Sequence, residues 1–318
     1  RQRQICIRDS FANGPPPQAF YDTVDDLLVD EHLTAHENAF EYDPTYNVAP
    51  GTVYPVVRAT DSKDGFSVAL ETMKWGLRHN AVLSSASPEM RGPLIINSRD
   101  DTIVRPTSAW HRLAATQRCI VFCQGFFEWE KVPMSRSKRV AHFVGMSAQG
   151  RGRPAVEGST HQLMPMAGLW VEDQGQRAFT IVTTTSNKQL SFLHDRMPVI
   201  LPTAQSMHQW LHAREFQRMA SLLQPYDGCL DCYAVPPEVG TVGYSSESLI
   251  YPVALRHDGL EAFFSKQTPS APISPVKVEK ATPPRDRPAS RSPKRPLPSP
   301  SRAPKKARGT PRLEEFWT

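Results

Sequence analysis

The chain has 318 residues, 39% of them hydrophobic and 22% charged, which is enough for one sizeable core and something more. The surplus shows as a composition break after Phe263-Phe264: residues 266–318 hold 12 of the 30 prolines and carry 13 Lys and Arg against 4 Asp and Glu. That tail nets +9 in a chain of net +5, so residues 1–265 net −4; this excludes nucleic-acid binding by bulk charge in the globular part and requires a local basic patch. No apolar run approaches the length of a membrane span. Cys6, Cys119, Cys123, Cys229 and Cys232 make an odd count without a signal peptide, which points to a reducing compartment. The chain opens on Arg1 rather than Met, so we treat its N-terminus as incomplete or mis-assigned.

In chain order, Pro15-Pro16-Pro17 interrupts a short mixed start, and the apolar spacing from Phe20 to Leu28 predicts a helix. Tyr46-Asn47-Val48-Ala49-Pro50-Gly51 is turn-rich and leads into a strand from Val53 to Arg58. Phe66 to Trp75 is the next strand, ending in Trp75-Gly76-Leu77. Ile95-Ile96 is a strand end that runs into Asn97-Ser98-Arg99. A helix is expected over Ser108 to Ala115. Strands are expected over Val140 to Met146, Met166 to Val171, Phe179 to Thr183 and Tyr233 to Val235. Ser186 is placed to cap a short helix ending near Leu193. Ala204 to Leu223 has the strongest helical pattern, with Met207, Trp210, Leu211, Met219 and Leu222 on its apolar face. Many strands with a few helices among them predict an α+β domain over residues 1–265, its largely antiparallel sheet curled into a barrel-like form.

The densest β-forming run is Arg118 to Glu130. Ile120-Val121-Phe122 has the pattern of a buried strand, and Gly125 breaks the run as a bulge or a close backbone approach would. Glu128 sits between Phe127 and Trp129. Either it points to water while its neighbours point inward, or it is a desolvated carboxyl suited to proton transfer.

The chain has no phosphate-cradling glycine loop and no nucleophile elbow, so no cofactor is expected. Cys119-x-x-x-Cys123 and Cys229-x-x-Cys232 have a spacing that zinc accepts, but the first pair lies in an apolar strand where free Cys is usually a small buried hydrophobe, and no metal is expected. His194-Asp195-Arg196 puts three polar groups at the entrance of an apolar run, and Asn97 with Arg99 makes a similar pair. Two such strand ends and Glu128 could line one cleft. Arg is the side chain for bidentate phosphate contact, and Trp75 offers a surface on which an unpaired base could stack.

These residues, in this order, closely resemble the SOS-response-associated peptidase (SRAP) family, whose eukaryotic members are known as abasic-site processing proteins. The motifs that carry the resemblance are Tyr46-Asn47-x-x-Pro50, Trp75-Gly76-Leu77, Asn97-x-Arg99, Arg118-Cys119 through Gly125-Phe126-Phe127-Glu128-Trp129, Ala167-Gly168-Leu169-Trp170, Phe179 to Thr183 and His194-Asp195-Arg196-Met197-Pro198. The resemblance implies a DNA-repair enzyme whose cysteine follows the initiator Met and is freed by autoproteolysis. Its α-amine and thiol together capture the aldehyde of a ring-opened abasic site in single-stranded DNA, giving a covalent thiazolidine linkage with lyase and protease character. It further implies that Asn97 orients the sugar or the amine, Glu128 handles protons, and His194 assists Schiff-base chemistry. Arg8, Asn47, Pro50, Trp75, Arg99 and Arg196 are the implied DNA contacts. The counterpart of the family's Cys-Gly-Arg is Cys6-Ile7-Arg8, with Ile7 in place of Gly and five residues ahead of Cys6. An internal Cys6 has no free amine. Crosslinking therefore requires that processing expose it or that the true start lie outside this sequence; a copy that meets neither condition is a single-stranded DNA-binding protein or adaptor. Arg78-His79 stand where the family has Ile-Pro.

The Pro, Ser, Lys and Arg content of residues 266–318 predicts disorder. Lys294-Arg295 and Pro304 to Arg308 resemble a bipartite nuclear import signal, which implies a nuclear location. Val276-Lys277-Val278-Glu279 matches a sumoylation consensus. Leu313, Phe316 and Trp317 have the spacing of a sliding-clamp-binding box, with Thr310 where Gln is usual.

Overall fold

The structure is a computed structural model that describes residues 11–29, 31–60, 67–82, 93–131, 139–147, 162–173 and 175–253. Cys6, Arg8, Leu313, Phe316, Trp317 and the whole predicted tail lie outside the described residues.

The first third of the chain forms β1 (Phe11–Asn13), α1 (Pro17–Leu27), β2 (His32–Ala35), β3 (Thr45–Val48), β4 (Val53–Thr60), β5 (Ser67–Trp75) and the single turn α2 (His79–Val82). There follow β6 (Asn97–Arg99), α3 (Asp100–Ile103), α4 (Ala109–Thr116), β7 (Arg118–Cys123), β8 (Gly125–Lys131) and β9 (Arg139–Met146). The last third holds β10 (Met164–Asp173), β11 (Gln176–Thr185), β12 (Arg196–Pro198), α5 (Ala204–His212), α6 (Phe216–Ala220) and β13 (Leu230–Ala234).

β5, β4, β7, β10 and β11 pair antiparallel in that order, and the sheet closes where β11 meets β5 in parallel, Ala178 beside Lys74 and Phe179 beside Trp75. The result is a closed five-stranded barrel. A second sheet, in the order β13, β9, β8, β1, β3, packs on it. Strand alternation sorts the apolar side chains into separate cores. Met73, Trp75, Cys119, Val121, Met166, Phe179 and Ile181 join one cluster. Leu70, Ile120, Phe122, Leu169 and Val182 join a second with α1, α4 and α5. Strands buried on both faces appear in sequence as unbroken apolar runs, which is why Ile120-Val121-Phe122 does not alternate. Gly125 is a close approach: a Cβ there would lie 2.4 Å from the Val144 carbonyl oxygen and from the Phe143 ring.

Two helix expectations need correction. The span from Ser186 to Leu193 forms turns, and Asn187 rather than Ser186 makes the capping contact, its Oδ1 accepting from the Leu190 amide at 2.9 Å. The helix expected over Ala204 to Leu223 breaks into α5 and α6. The break is fixed by Arg118, whose buried guanidinium donates to the carbonyls of Trp210, Leu211 and Ala213 at the end of α5 and of Ala114 and Ala115 at the end of α4. One side chain thus caps two helix C-termini, where partial negative charge collects.

A second buried charge ties the barrel wall together. Glu71 accepts from Arg58 at 2.7 Å and from Arg177 at 2.6 Å, and both guanidiniums lie over the Trp170 ring, at 5.6 and 5.4 Å. Burial pushes the Glu71 carboxyl up, but the hydrogen bonds and charges of Arg58 and Arg177 outweigh it and hold the carboxyl below its ordinary 4.5. A depressed carboxyl stabilises the fold above its unfolded value, and that contribution is lost as pH falls through the folded value. Glu71→Gln is therefore expected to cost about 2–3 kcal/mol at pH 7 and to flatten the acid side of the stability curve, read by urea unfolding from about pH 7 to pH 3. An unchanged acid limb would remove Glu71 from this role.

Candidate active site

The site lies where β11 runs past the closed barrel. There Ile181 pairs in parallel with Asn97, and Thr183 stands between Arg99 of β6 and Pro198 of β12. Ile96, Phe126 and Leu193, each within two residues of Asn97, Glu128 and His194 respectively, belong to one hydrophobic cluster. The three polar residues come from three distant stretches of chain, each close in sequence to a member of that cluster.

Asn97 has both side-chain polar atoms buried, and neither Nδ2 nor Oδ1 has a hydrogen-bond partner among the described residues. Leaving a buried amide unpaired costs about 1–3 kcal/mol per group, so such an amide marks a place where a partner belongs.

Glu128 is 4% exposed, and its Oε1 accepts from the Trp129 amide at 3.0 Å. The solvent-facing alternative fails because β8 is covered on both faces. Phe126 and Val144 pack on the Glu128 face, and Phe127 and Phe143 pack on the other. His142 stands directly opposite Glu128 on β9, and its ring meets the edge of Phe192 at 5.8 Å.

His194 accepts the Arg196 amide on Nδ1 at 2.9 Å, which leaves the proton of the neutral ring on Nε2. The Asp195 carboxylate lies 3.0 Å from the same nitrogen, but its side chain is 69% exposed.

The implied DNA contacts separate into two groups. Arg99 is half exposed at the rim and grips its neighbour Asp101, through Nε at 3.1 Å and Nη2 at 2.7 Å. That pairing holds the Asp101 carboxyl down at about 2. Pro50 is partly exposed in the turn before Gly51, whose φ of +89° glycine tolerates best. Trp75, in contrast, is fully buried and donates Nε1–H to the Ile96 carbonyl at 3.2 Å, so no base can reach its face. Asn47 is buried, and its Nδ2 donates to the carbonyls of Val239, Thr241 and Tyr244, which pins that loop. Arg196 is not at the rim: its side chain is 8% exposed, and Nη2 donates to Asp100 Oδ1 at 2.7 Å and to the Thr183 carbonyl. All three side chains are engaged within the fold.

Sequence reasoning missed Asp100 and Phe192. Asp100 anchors Arg196 and accepts the Thr184 hydroxyl at 2.7 Å; an acidic residue directly after a strand end, opening a helix, was the available signal. Phe192 is 54% exposed, and an aromatic two residues before His194 gave no periodic signal of its own. Of the cysteines, Cys119 and Cys123 are fully buried and burial pushes both thiols far up, while Cys232, half-buried, is raised to about 11. A cavity of about 450 Å³ lies elsewhere, between Asn38, Glu71, Lys74 and Arg177.

The fold is similar to that of a Bacteroides thetaiotaomicron protein solved by X-ray crystallography, at 22% identity and a TM-score of 0.57, covering 76% of this chain and 99% of that one. The chain is 28% identical over 246 residues to "Abasic site processing protein YoqW" of Bacillus subtilis (strain 168), covering 73% of this chain and 94% of the relative. It is 26% identical over 241 residues to "Abasic site processing protein HMCES" of Rattus norvegicus, covering 68% of this chain and 67% of the relative. With residues 12–242 matching the profile described as SOS response associated peptidase (SRAP), the chain belongs to the SRAP family.

Proposed function

We propose that this chain processes abasic sites in DNA, and that it does so by covalent capture of the ring-opened sugar in single-stranded DNA. The observation that carries this reading is the Asn97 amide, buried and without a described partner, beside an exposed Arg99. A deoxyribose aldehyde with its hydroxyls supplies the donor and acceptor such an amide lacks, and its flanking phosphate suits Arg99. Relatives named for abasic-site processing support the same reading.

In this reading a Cys6 α-amine adds to the aldehyde carbon and expels water to give an imine. The Cys6 thiol then adds across C=N, sulfur to carbon and proton to nitrogen, and no oxidant is needed. Glu128 takes and returns the protons, and the Nε2–H of His194 donates to the departing hydroxyl. Phe192 takes over the base-stacking role that buried Trp75 cannot fill. The same residues would serve autoproteolytic exposure of Cys6. We further propose a nuclear location through the basic tail, and docking of Leu313, Phe316 and Trp317 in a hydrophobic groove of a sliding clamp.

The test is crosslinking of the Cys6-started chain to single-stranded DNA carrying one abasic site, followed on a denaturing gel. Asn97→Ala and Glu128→Gln are each expected to slow it about 100-fold, the size of a lost positioning or proton-transfer group. Non-covalent binding should weaken with salt as phosphate counterions are released, and Phe192→Ala should weaken it further. Wild-type rates in both site variants would overturn the assignment.

A further inference from the structure

The second core carries a feature that DNA processing does not use. Glu31 follows α1 and precedes β2, and its side chain is 2% exposed. His208 and His212 sit four residues apart on α5, so both rings project from one face of that helix. His208 Nδ1 is 2.8 Å from Glu31 Oε1, and His212 Nε2 is 3.0 Å from the same oxygen. The two rings lie 4.8 Å apart, tilted by 41°. Among the described residues this is the set of metal-ligating side chains whose donor atoms, one from each residue, all lie within 4.8 Å of one another.

We propose that Glu31, His208 and His212 form a binding site for a divalent transition ion of the zinc class. Two imidazoles and one carboxylate are a donor set zinc accepts, and two His at i and i+4 on one helix face are a spacing it uses. Ligand atoms about 2.0–2.1 Å from a tetrahedral ion stand a little over 3 Å apart, so the Glu31 contacts need to open by only a few tenths of an ångström. The ion would replace the two N–H···O bonds that now close the cluster, and both nitrogens would ligate as lone pairs. His208, whose side chain is 34% exposed, stands nearest solvent, and water entering there would complete the set. Buried Glu31 and His212, 10% exposed, hold the inner side. Such an ion would fasten the segment between α1 and β2 to the C-terminal end of α5, which Arg118 caps. The rival reading is an ion-paired cluster that binds no metal.

The experiment uses the full chain stripped with a chelator and then titrated with zinc by calorimetry and with Co²⁺ by visible absorption. One ion per chain is expected, with the intense d–d bands of tetrahedral Co²⁺ and a rise in melting temperature on zinc addition. His208→Ala, on the open side, and Glu31→Gln, close in shape to the native residue, should each weaken zinc binding by at least about 10- to 100-fold, since changes even one shell further out cost that much. Cys229→Ser with Cys232→Ser should leave it unchanged. Absence of zinc binding by the stripped wild-type chain would leave the cluster an ion pair and overturn the proposal. So would binding that survives His208→Ala and Glu31→Gln but is lost with the two cysteines.

Discussion

Replacing Arg118 with leucine is expected to destabilise the chain by about 4–6 kcal/mol, the largest single-residue loss of stability in this fold. The guanidinium makes five hydrogen bonds to backbone carbonyls, from 2.5 to 3.1 Å, at the ends of α4 and α5. Each buried carbonyl left without a donor costs about 1–3 kcal/mol, and water can reach only those nearest the surface. Helix-end charge adds to the hydrogen bonds, because the last carbonyls of both helices converge on one cation. Burial pushes the Arg118 guanidinium down from its ordinary value, yet an arginine stays protonated under these conditions. Arg118→Lys should recover only part of the loss: an ammonium has three donors and cannot fork toward two helices. Urea unfolding of the three proteins provides the measurement. A leucine variant within about 1 kcal/mol of wild type would show that water replaces the guanidinium and that the caps are dispensable.

The same residue shows what the sequence could and could not reveal. Its place at the head of Arg118 to Glu130 was plain, and β7 and β8 formed there. So was the helix expected over Ser108 to Ala115, which formed as α4 with the Ser108 oxygen accepting the Trp110 amide at 3.1 Å. Local patterns of this kind survive because hydrogen bonding and alternation are set within a few residues. That Arg118 would cut the long helix after His212 could not be read, because the two lie some ninety residues apart in sequence. Barrel closure is hidden for the same reason: Trp75 and Phe179 meet across a hundred residues, in a parallel pair with no turn to announce it. The curled, largely antiparallel sheet was nonetheless legible from the number and spacing of its strands.

Within the site, Asn97, Glu128 and His194 stood out because polar groups interrupting apolar strands are conspicuous. Ile96, Phe126 and Leu193, each close in sequence to one of them, belong to one core cluster. The failures were of burial rather than identity. Trp75 and Arg196 have side chains that suit DNA, but in the fold Trp75 fills the barrel and Arg196 is locked to Asp100. An indole or guanidinium in a motif carries no sign of which way it faces until the strands around it have paired. The Glu31 cluster escaped notice because its members lie 177 and 181 residues apart.

The largest effect expected on activity comes from the first atoms of the chain. A protein that begins at Cys6 should give a heat-stable shifted band with single-stranded DNA carrying one abasic site. A protein that begins at Arg1 should give none, because its Cys6 nitrogen is an amide and cannot form an imine. From Phe11, paired with Phe126 on β8, five residues reach back to Cys6, a span of at most about 18 Å, and Glu128 lies two residues further along that strand. That length of chain is enough to span the distance from Phe11 to the Glu128 carboxyl. Cys6→Ser in the trimmed protein keeps the amine and loses the thiol, so it should give a band that heat reverses and borohydride fixes. That outcome separates the imine from the ring-closed product. Ile7 puts a β-branched side chain where the family has glycine, so Ile7→Gly should speed the trimmed protein by easing backbone approach to the sugar. If the Arg1 and Cys6 proteins crosslink equally, the α-amine is not the nucleophile and a lysine must be sought. If the trimmed protein binds the DNA without crosslinking, Cys6 is not the reacting cysteine in this sequence, and the search moves to residues ahead of Arg1.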